Sequence, residues 1–256
     1  MPQNRPAHTQ GAVAFGSSCH IVNGGQAGGQ KKKVVELKKR FFLIGLIVVT
    51  LLVADQMLKI WVKTNMSMGE QISVLGQWFS LHYIENEGIA FGMVFWTRPI
   101  GKVLLTLFRL FASCFIIWAL YRMIRFRQRL PMGLLICTAL IYTGAVGNLL
   151  DCLFYGRIFS FSDYYGPVAV MFPDAGGYAP LFQGKVVDML QFDLFDVPLG
   201  SNHVFHFFPA IFNLADSYIT AGLLMLLIFY WRPLSVFVES FENKGKAEVS
   251  SSEKQD

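Results

Sequence analysis

Residues 41–62 of the chain are FFLIGLIVVTLLVADQMLKIWV, an apolar run interrupted by two charged side chains, Asp55 and Lys59. A helix that crosses a bilayer takes about 20 mainly apolar residues, so this run predicts a membrane span. Three more runs of similar length and character follow, at about 99–121, 131–155 and 207–231. Only 15% of the residues are charged, against about 25% in soluble proteins. The sequence therefore predicts an all-α membrane protein with four transmembrane helices.

Basic residues are concentrated on one side of the predicted spans. Cytoplasmic segments of membrane proteins carry an excess of Lys and Arg, so we predict that both termini are cytoplasmic and that both long loops lie outside. A nucleic-acid-binding patch would cluster on one soluble module, so the net charge of +5 does not indicate a nucleic-acid partner. The basic residues before the first span, between the second and third, and after the fourth are Lys31, Lys32, Lys33, Lys38, Lys39 and Arg40; Arg122, Arg125, Arg127 and Arg129; and Arg232, Lys244, Lys246 and Lys254.

The segments outside the spans divide the chain into three parts. Residues 1–39 begin with a stretch rich in Gly, Gln, Ser and Asn, which predicts a disordered cytoplasmic tail. Residues 40–232 form the predicted four-span domain, and the polar residues 233–256 form a second cytoplasmic tail. The outer loops, about 63–98 and 156–206, contain short alternating runs typical of strands, such as QWFSLHYI at 77–84. The two extracytoplasmic loops are therefore predicted to form a small β-rich layer.

Acidic residues inside the spans are the first functional candidates, because a charge at mid-bilayer costs about 2.5–3.5 kcal/mol on insertion scales. At about 1.5 Å per helical residue, Asp55, Asp151 and Asp216 lie about 22, 30 and 24 Å from the cytoplasmic edge of a core about 30 Å thick. The three carboxylates are thus predicted to meet near the outer interface. Two carboxylates held close together share one proton and can act as general acid and base, which is the chemistry of peptide hydrolysis.

Simpler interpretations stand beside this one. Asp55 and Lys59, four residues apart, can neutralise each other on one helix face, and Asp151 can be merely interfacial. Asp216 has apolar neighbours and no cation in its own span, which makes it the strongest candidate. The residues alone leave the partner of Asp216 open, and the eligible acids are Asp151, Asp188, Asp193 and Asp196.

Two other classes of protein could use such groups. In a transporter or channel the buried acids would relay protons or cations, but the chain has no internal repeat and no acid deep in the inner half of its spans. In a metalloenzyme His203 and His206 would act with Asp216, but two histidines three residues apart match no zinc motif. The sequence therefore favours a hydrolase that works through carboxylates.

Five short motifs, taken together, resemble the lipoprotein signal peptidase (signal peptidase II) family, and the resemblance covers about residues 40–232. Any one of them would be weak evidence, but all five occur in order on spans of the expected topology. The motifs are Asp55-Gln56 with Lys59, NEGIAFG at 86–92, GAVGNLLD at 144–151, GKVVDM at 184–189 and FNLADS at 212–217.

This resemblance implies an aspartic endopeptidase of the bacterial inner membrane. Its substrate would be a diacylglyceryl-modified prolipoprotein, cut before the lipidated Cys to release the signal peptide. The resemblance also implies that Asp188 and Asp216 are the catalytic pair, with Asp188 on an extended segment. We further expect a monomer in contact with membrane lipid, inhibition by globomycin-type compounds, and no cofactor or metal ion. The residues implied to support the site or bind substrate are Asp55, Lys59, Asn86, Gly88, Asn148, Asp151 and Asn213.

The chain departs from the family pattern in two places. Asp151 is followed by Cys152, where the family usually has Arg, and a thiol offers neither a fixed charge nor a fork of donors. Our hypothesis is that Arg109 or Arg157 supplies the missing cation. In addition, residues 159–180 form an insertion of about twenty residues relative to compact relatives, which either shapes substrate entry or is a passive surface loop.

Overall fold

The computed structural model of the 256-residue chain describes residues 23–76, 78–87, 100–126, 130–164, 166–193, 196–198, 204–206 and 210–252. Within these residues the protein is mostly helical. The helices are α1 (Asn23–Asn65), α2 (Ile100–Ile124), α3 (Met132–Leu150), α4 (Gly156–Ile158), α5 (Leu214–Phe229) and α6 (Trp231–Ser252). The strands are β1 (Gln71–Leu75), β2 (Phe79–Asn86), β3 (Val186–Phe192), β4 (Asp196–Pro198), β5 (Val204–His206) and β6 (Ile211–Phe212).

Three helical segments are long and apolar enough to cross a membrane. They are Lys33–Asn65, Ile100–Ile124 and Met132–Ile158, the last of which includes a π-helical turn at Asp151–Tyr155. Helix α5 and residues 231–241 of α6 meet at a bend of 86° and satisfy the same criterion only as a pair. The chain is thus a multi-pass membrane protein, and its described residues contain three such spans, or four where the bent pair counts as one.

The prediction of a fourth span over 207–231 is wrong at its start. Residues 211–212 form strand β6, and α5 begins only at Leu214, because Asn213 caps the helix and the residues before it pair with β3. With 16 residues, α5 is about 24 Å long, shorter than a hydrocarbon core of about 30 Å. Asp216 therefore lies in the first turn of its helix rather than in the interior of a span.

The chain divides into two compact units, Met1–Lys39 and Arg40–Asp256. In the first unit residues 23–39 belong to α1, where the sequence predicted a disordered tail; the Lys, Glu and Leu side chains of this stretch favour a helix. In the second unit α6 runs to Ser252, so most of the predicted tail 233–256 is helical. Residues 1–22 and 253–256 lie outside the described residues.

A four-stranded antiparallel sheet confirms the predicted β-rich layer. Its strand order is β1-β2-β3-β6. Since β1 and β2 follow α1 whereas β3 and β6 precede α5, both long loops contribute strands to it. Ile84 lies opposite Asp188 and Leu190 lies opposite Phe212, while β4 and β5 form a separate pair. The pairing of β6 with β3 brings β3 beside the start of α5.

An apolar core joins the sheet to the helices. Successive side chains of a strand point to opposite faces, so Val187 and Met189, which lie in this core, leave Asp188 on the other face of β3. Burial of such side chains stabilises the fold by about 25 cal/mol per Å² of apolar area. The fully or nearly fully buried members of the core are Val62, Met66, Tyr83, Tyr155, Phe159, Val187, Met189 and Leu190.

Candidate active site

The two acids predicted to be catalytic lie on elements that meet at Asn213. Asp188 is in the middle of β3 and is 2% exposed, whereas Asp216 is in the first turn of α5 and is half-buried. Strand β6 pairs with β3 and ends one residue before Asn213. The strand that carries one acid is therefore tied to the helix that carries the other.

Asn213 holds this junction through both ends of its side chain. Its Oδ1 accepts a hydrogen bond of 2.9 Å from the backbone N–H of Asp216, which caps α5. Its Nδ2 donates to Asp188 Oδ1 at 2.6 Å and to the Val187 carbonyl at 3.3 Å. One buried amide thus fixes the start of the helix and orients the carboxylate of Asp188.

Asn148 of α3 performs the matching task for Asp216. Its Nδ2 donates to Asp216 Oδ1 at 2.7 Å, and its Oδ1 accepts from Asn213 Nδ2 at 3.1 Å. The two amides are therefore hydrogen-bonded to each other and each bonds one of the two acids. Both carboxylates are held by neutral groups that lock their orientation, and within the described part of the chain neither forms an ion pair.

The pKa of Asp188 is raised to about 7. Burial is the largest cause, and the negative charge of Asp216 is the second; hydrogen bonds from Asn213 and Asn86 act in the opposite direction because they favour the charged form. A carboxyl group with this pKa is protonated in a substantial fraction of molecules at neutral pH and can donate that proton. Asp188 can therefore act as a proton donor beside the second carboxyl group, that of Asp216.

A second group of acids surrounds Lys59. The Lys59 ammonium lies 3.0 Å from Asp55 Oδ2 and 2.8 Å from Asp151 Oδ2, and it donates to Asn148 Oδ1 at 2.9 Å. All three charged side chains are at most 1% exposed. Lys59 thus compensates two carboxylates, one on its own helix and one at the end of α3. Through Asn148 it also connects them to Asp188 and Asp216.

Asp55 also fixes the position of α5. Its Oδ1 accepts a hydrogen bond of 3.0 Å from the backbone N–H of Ala215, so a carboxylate lies where the helix dipole favours negative charge. A Cβ on Gly147 would come within 2.7 Å of Asp55 Oδ2 and 3.1 Å of the Ala215 side chain. Only glycine at 147 leaves room for α1, α3 and α5 to converge here.

Gln56 completes the Lys59 group, although it was not among the predicted site residues. Its Nε2 donates to Asp151 Oδ1 at 3.0 Å and to the Gly147 carbonyl at 3.2 Å, and its Oε1 accepts from Tyr155 at 3.2 Å. Asp151 begins a π-helical turn, a distortion that is frequent at functional sites. The adjacency of Gln56 to Asp55 was the available signal.

A second buried ion pair, missed from the sequence, lies near the C-terminal end of β2. Lys63 pairs with Glu85, and the hydroxyl groups of Tyr83 and Ser162 donate to Glu85 Oε1 at 2.7 and 2.8 Å. Burial alone would raise the pKa of Glu85, but Lys63 and these hydrogen bonds lower it below its ordinary value. Ser162 belongs to the predicted insertion 159–180, so this cluster anchors the insertion to α1 and β2. The spacing of the two residues could have indicated this pair, because Lys63 lies one helical turn after Lys59 and Glu85 directly precedes Asn86.

A cation lies beside Cys152, the residue at which the chain departs from the family pattern. Arg109 Nη1 lies 2.9 Å from Cys152 Sγ, whereas Arg157 is exposed. Of the two candidates for the missing cation, Arg109 is therefore the one in contact with Cys152. Its role in the reaction stays a prediction.

The remaining predicted residues divide between described and undescribed parts of the chain. Asn86 ends β2 and hydrogen-bonds Asp188. Gly88 and His203 lie outside the described residues, as does the side chain of His206. The alternative partner Asp193 is exposed, and Asp151 is already paired with Lys59. Among the described residues no three His, Cys, Asp or Glu side chains are grouped so that they could hold a metal ion.

Comparison with known proteins identifies the family. The family model for signal peptidase (SPase) II matches residues 47–232. A lipoprotein signal peptidase of Porphyromonas gingivalis is 39% identical over 217 residues, which are 82% of this chain and 92% of the relative. That of Amoebophilus asiaticus is 36% identical over 222 residues, 84% of this chain and 86% of the relative.

Among solved structures, a bacterial membrane enzyme determined at 2.3 Å is 22% identical and covers 75% of this chain and 90% of its own. Its TM-score of 0.48 is too low to identify a shared fold. The family model and the two sequence relatives suffice, because the relatives cover more than four fifths of this chain and the family model extends over residues 47–232, which contain the residues of the site described above. The chain belongs to the signal peptidase II family and is a membrane-bound peptidase.

Proposed function

We propose that this protein is a lipoprotein signal peptidase of the aspartic type, with Asp188 and Asp216 as its catalytic pair. It removes the signal peptide from a diacylglyceryl-modified prolipoprotein by cleaving the bond before the lipidated Cys. The observation that carries the proposal is the pair of acids held by hydrogen-bonded amides, with the pKa of Asp188 raised to about 7. No other acid of the network combines burial with the absence of a paired cation among the described residues.

The pKa of Asp188 supports a division of roles. Asp216, ionised, takes a proton from a water molecule, whose oxygen attacks the scissile carbonyl carbon. Asp188, protonated, donates its proton to the carbonyl oxygen, which gives a neutral tetrahedral intermediate. When the intermediate collapses, the C–N bond breaks and the amine of the Cys leaves with the proton that Asp216 received. The remaining proton returns to Asp188, so the pair is restored.

The supporting residues act by position. Asn148 and Asn213 orient the two acids, and Asn86 reaches Asp188 from the neighbouring strand. Asp55, Lys59 and Asp151 hold α1, α3 and the start of α5 together around them. Gly88 is proposed to bind the substrate, as the motif NEGIAFG at 86–92 implies.

The location of the site follows from the same proposal. Both termini are cytoplasmic and the catalytic pair lies near the outer face of the bacterial inner membrane, where a lipid-anchored Cys would be held at the level of the membrane surface. The charge distribution along the chain supports this orientation. The enzyme acts as a monomer in lipid, and a globomycin-type compound would compete with the substrate.

The proposal is tested with purified protein and a diacylglyceryl-modified prolipoprotein in detergent. Asp188→Asn and Asp216→Asn should each lower cleavage at least about a thousandfold, because each removes one half of an acid–base pair. The matched control is Asp193→Asn, which changes an exposed acid on the same chain segment as Asp188 and should cleave like the wild type. Full activity of either catalytic variant, with the protein shown to be folded, would overturn the assignment.

A further inference from the structure

A cavity of about 520 Å³ lies at the end of the helices away from the acids. Its volume falls within the range of about 300–1,000 Å³ that is usual for ligand pockets. Leu226 in its wall is ten residues beyond Asp216 on α5, or about 15 Å along the helix. The cavity therefore does not belong to the candidate active site.

The wall of this cavity is apolar. Among the described lining residues the one hydroxyl group, that of Thr138, is already bonded to the Leu134 carbonyl at 2.9 Å. Helices α2, α3 and α5 form one side, and α6 forms the other with Leu234, Phe237, Val238 and Phe241. These four positions follow the i, i+3, i+4, i+7 spacing of an apolar helix face. Such a cavity accepts a hydrocarbon chain and offers nothing to a polar ligand.

The bend between α5 and α6 indicates that the first part of α6 lies along the membrane surface. Residues 231–241 turn 86° away from α5, so if α5 follows the membrane normal this segment lies along the surface. A helix with one apolar face in that position is typical of interfacial helices, which cover acyl chains and carry cations near headgroups. The cavity thus lies between an interfacial helix and membrane-spanning helices.

A cation lies at the edge of the cavity. The Arg122 guanidinium is stacked 5.9 Å from the Trp118 ring centroid and 5.2 Å from that of Phe241, and both rings line the cavity. A stacked guanidinium still presents N–H donors at its edge. Among the described residues no carboxylate forms an ion pair with Arg122, and a second cation, Arg125, directly follows the end of α2. The positive charge at the edge is available to an anionic headgroup.

We propose that this cavity is a binding site for an anionic phospholipid. One acyl chain occupies the cavity between α6 and the spans, and the phosphate accepts hydrogen bonds from the Arg122 guanidinium. The apolar wall accounts for the chain and the stacked cation accounts for the headgroup, so both parts of the ligand are specified. Anionic lipids are favoured over zwitterionic ones because basic side chains attract their net charge.

Native mass spectrometry of the full-length protein in detergent tests the site with dioleoylphosphatidylglycerol as the probe and dioleoylphosphatidylcholine as the comparison. The wild type should retain one phosphatidylglycerol molecule preferentially. Arg122→Gln should weaken that binding about tenfold, since it removes a charge-assisted contact, and Arg122→Lys should recover part of it. Ala119→Phe, which fills the cavity, should abolish retention. The control Arg157→Gln removes an exposed charge in α4, far from the cavity along the chain, and should bind like the wild type.

Two further measurements separate the proposal from its alternatives. Soluble glycerophosphate should not displace the lipid, because the acyl chain contributes most of the buried contact. The melting temperature of Arg122→Gln in phosphatidylcholine should equal that of the wild type, which shows that the variant is folded, while the stabilisation by added phosphatidylglycerol should be lost. Equal retention of the two lipids by the wild type, or unchanged phosphatidylglycerol binding in a folded Arg122→Gln or Ala119→Phe protein, would overturn the proposal.

Discussion

Two pairs of acids lie in one continuous hydrogen-bonded network, and they are held in opposite ways. Asp55 and Asp151 both contact the Lys59 ammonium, at 3.0 and 2.8 Å. Asp188 and Asp216 contact the amides of Asn213 and Asn148, at 2.6 and 2.7 Å. Asn148 belongs to both groups, because it also accepts a hydrogen bond from Lys59. The same side-chain type is thus paired with a fixed cation on one side and with neutral donors on the other.

This contrast indicates that one network contains acids that stabilise the fold and acids that can exchange a proton. A buried carboxylate that forms an ion pair has its charge compensated and holds helices together, whereas one beside an amide keeps its orientation and can still gain a proton. Breaking a buried ion pair leaves an uncompensated charge in the interior, so the pair is costly to disrupt even where its formation contributes little. We therefore expect substitutions at Lys59 to act mainly on stability, and substitutions around Asp188 to act mainly on catalysis.

The largest effect on stability is expected from Lys59→Met. It leaves Asp55 and Asp151 buried without their cation, which costs about 3–5 kcal/mol for a broken buried pair. Thermal unfolding in detergent, followed by tryptophan fluorescence, should show a large fall in the melting temperature. Neutralising the partners with Asp55→Asn and Asp151→Asn in the Lys59→Met background should restore much of it. A Lys59→Met protein as stable as the wild type would contradict the contrast between the two pairs.

The pH dependence of cleavage tests the amide-held pair. The pKa of Asp188 is raised to about 7, so its acidic proton is present below that pH and is lost as the pH rises through it. The value of kcat/KM should therefore fall about tenfold per unit above pH 7. Asp193→Asn should show the same profile. A rate independent of pH between 6 and 9, measured with one lipidated substrate, would show that Asp188 is not the acid.

A smaller and more specific effect is expected from Asn213→Ala. Its hydrogen bond favours ionised Asp188 and so lowers the pKa of that group; without it the pKa rises, and the alkaline fall in activity should move to higher pH. Loss of the helix cap should also cost about 1 kcal/mol of stability.

The matched comparison for Asn213→Ala is Asn148→Ala, because Asn148 contacts Asp216 and not Asp188 among the bonds described. Asn148→Ala should reduce the cleavage rate without moving the alkaline fall in activity to higher pH. Equal shifts in the two variants would mean that the amides do not act on separate acids.

The smallest effect is expected from Arg109→Gln. It removes the contact with Cys152, next to Asp151 on the cation-paired side of the network. One hydrogen bond contributes about 1 kcal/mol. The cleavage rate should therefore fall several-fold at most, or the free energy of unfolding should fall by about 1 kcal/mol. Arg157→Gln, which changes an exposed cation, should have no effect in the same assays. If Arg109→Gln also had none, no role would remain for either residue in replacing the missing cation.

Much of the fold could be predicted from the sequence because lipid imposes simple rules. Apolar length located the second and third spans to within three residues of Ile100–Ile124 and Met132–Ile158, and alternation in 77–84 indicated the sheet. The prediction of the fourth span was wrong at its start because the apolar residues 211–212 form a strand and not a helix. Hydropathy cannot distinguish these uses, since strand pairing and helix burial both favour apolar side chains.

The site was predictable to a lesser extent. Depth in the membrane selected Asp216, but it was the Val-Val-Asp resemblance that selected Asp188 over three other acids. The Lys63–Glu85 pair joins residues 22 positions apart, and its third member, Ser162, is 77 residues from Glu85. Contacts of this kind depend on how the insertion folds back onto β2, and no local pattern in the sequence encodes that.

The junction at Asn213 also bears on how the enzyme is made. Asn213 reaches Asp188 only when β6 has paired with β3 and α5 has begun at Leu214. On the proposed mechanism, a newly synthesised chain whose helices are inserted but whose sheet is unformed has no competent acid pair. Proteolytic activity then appears at the final stage of biogenesis, after the part of the chain that receives the substrate has matured.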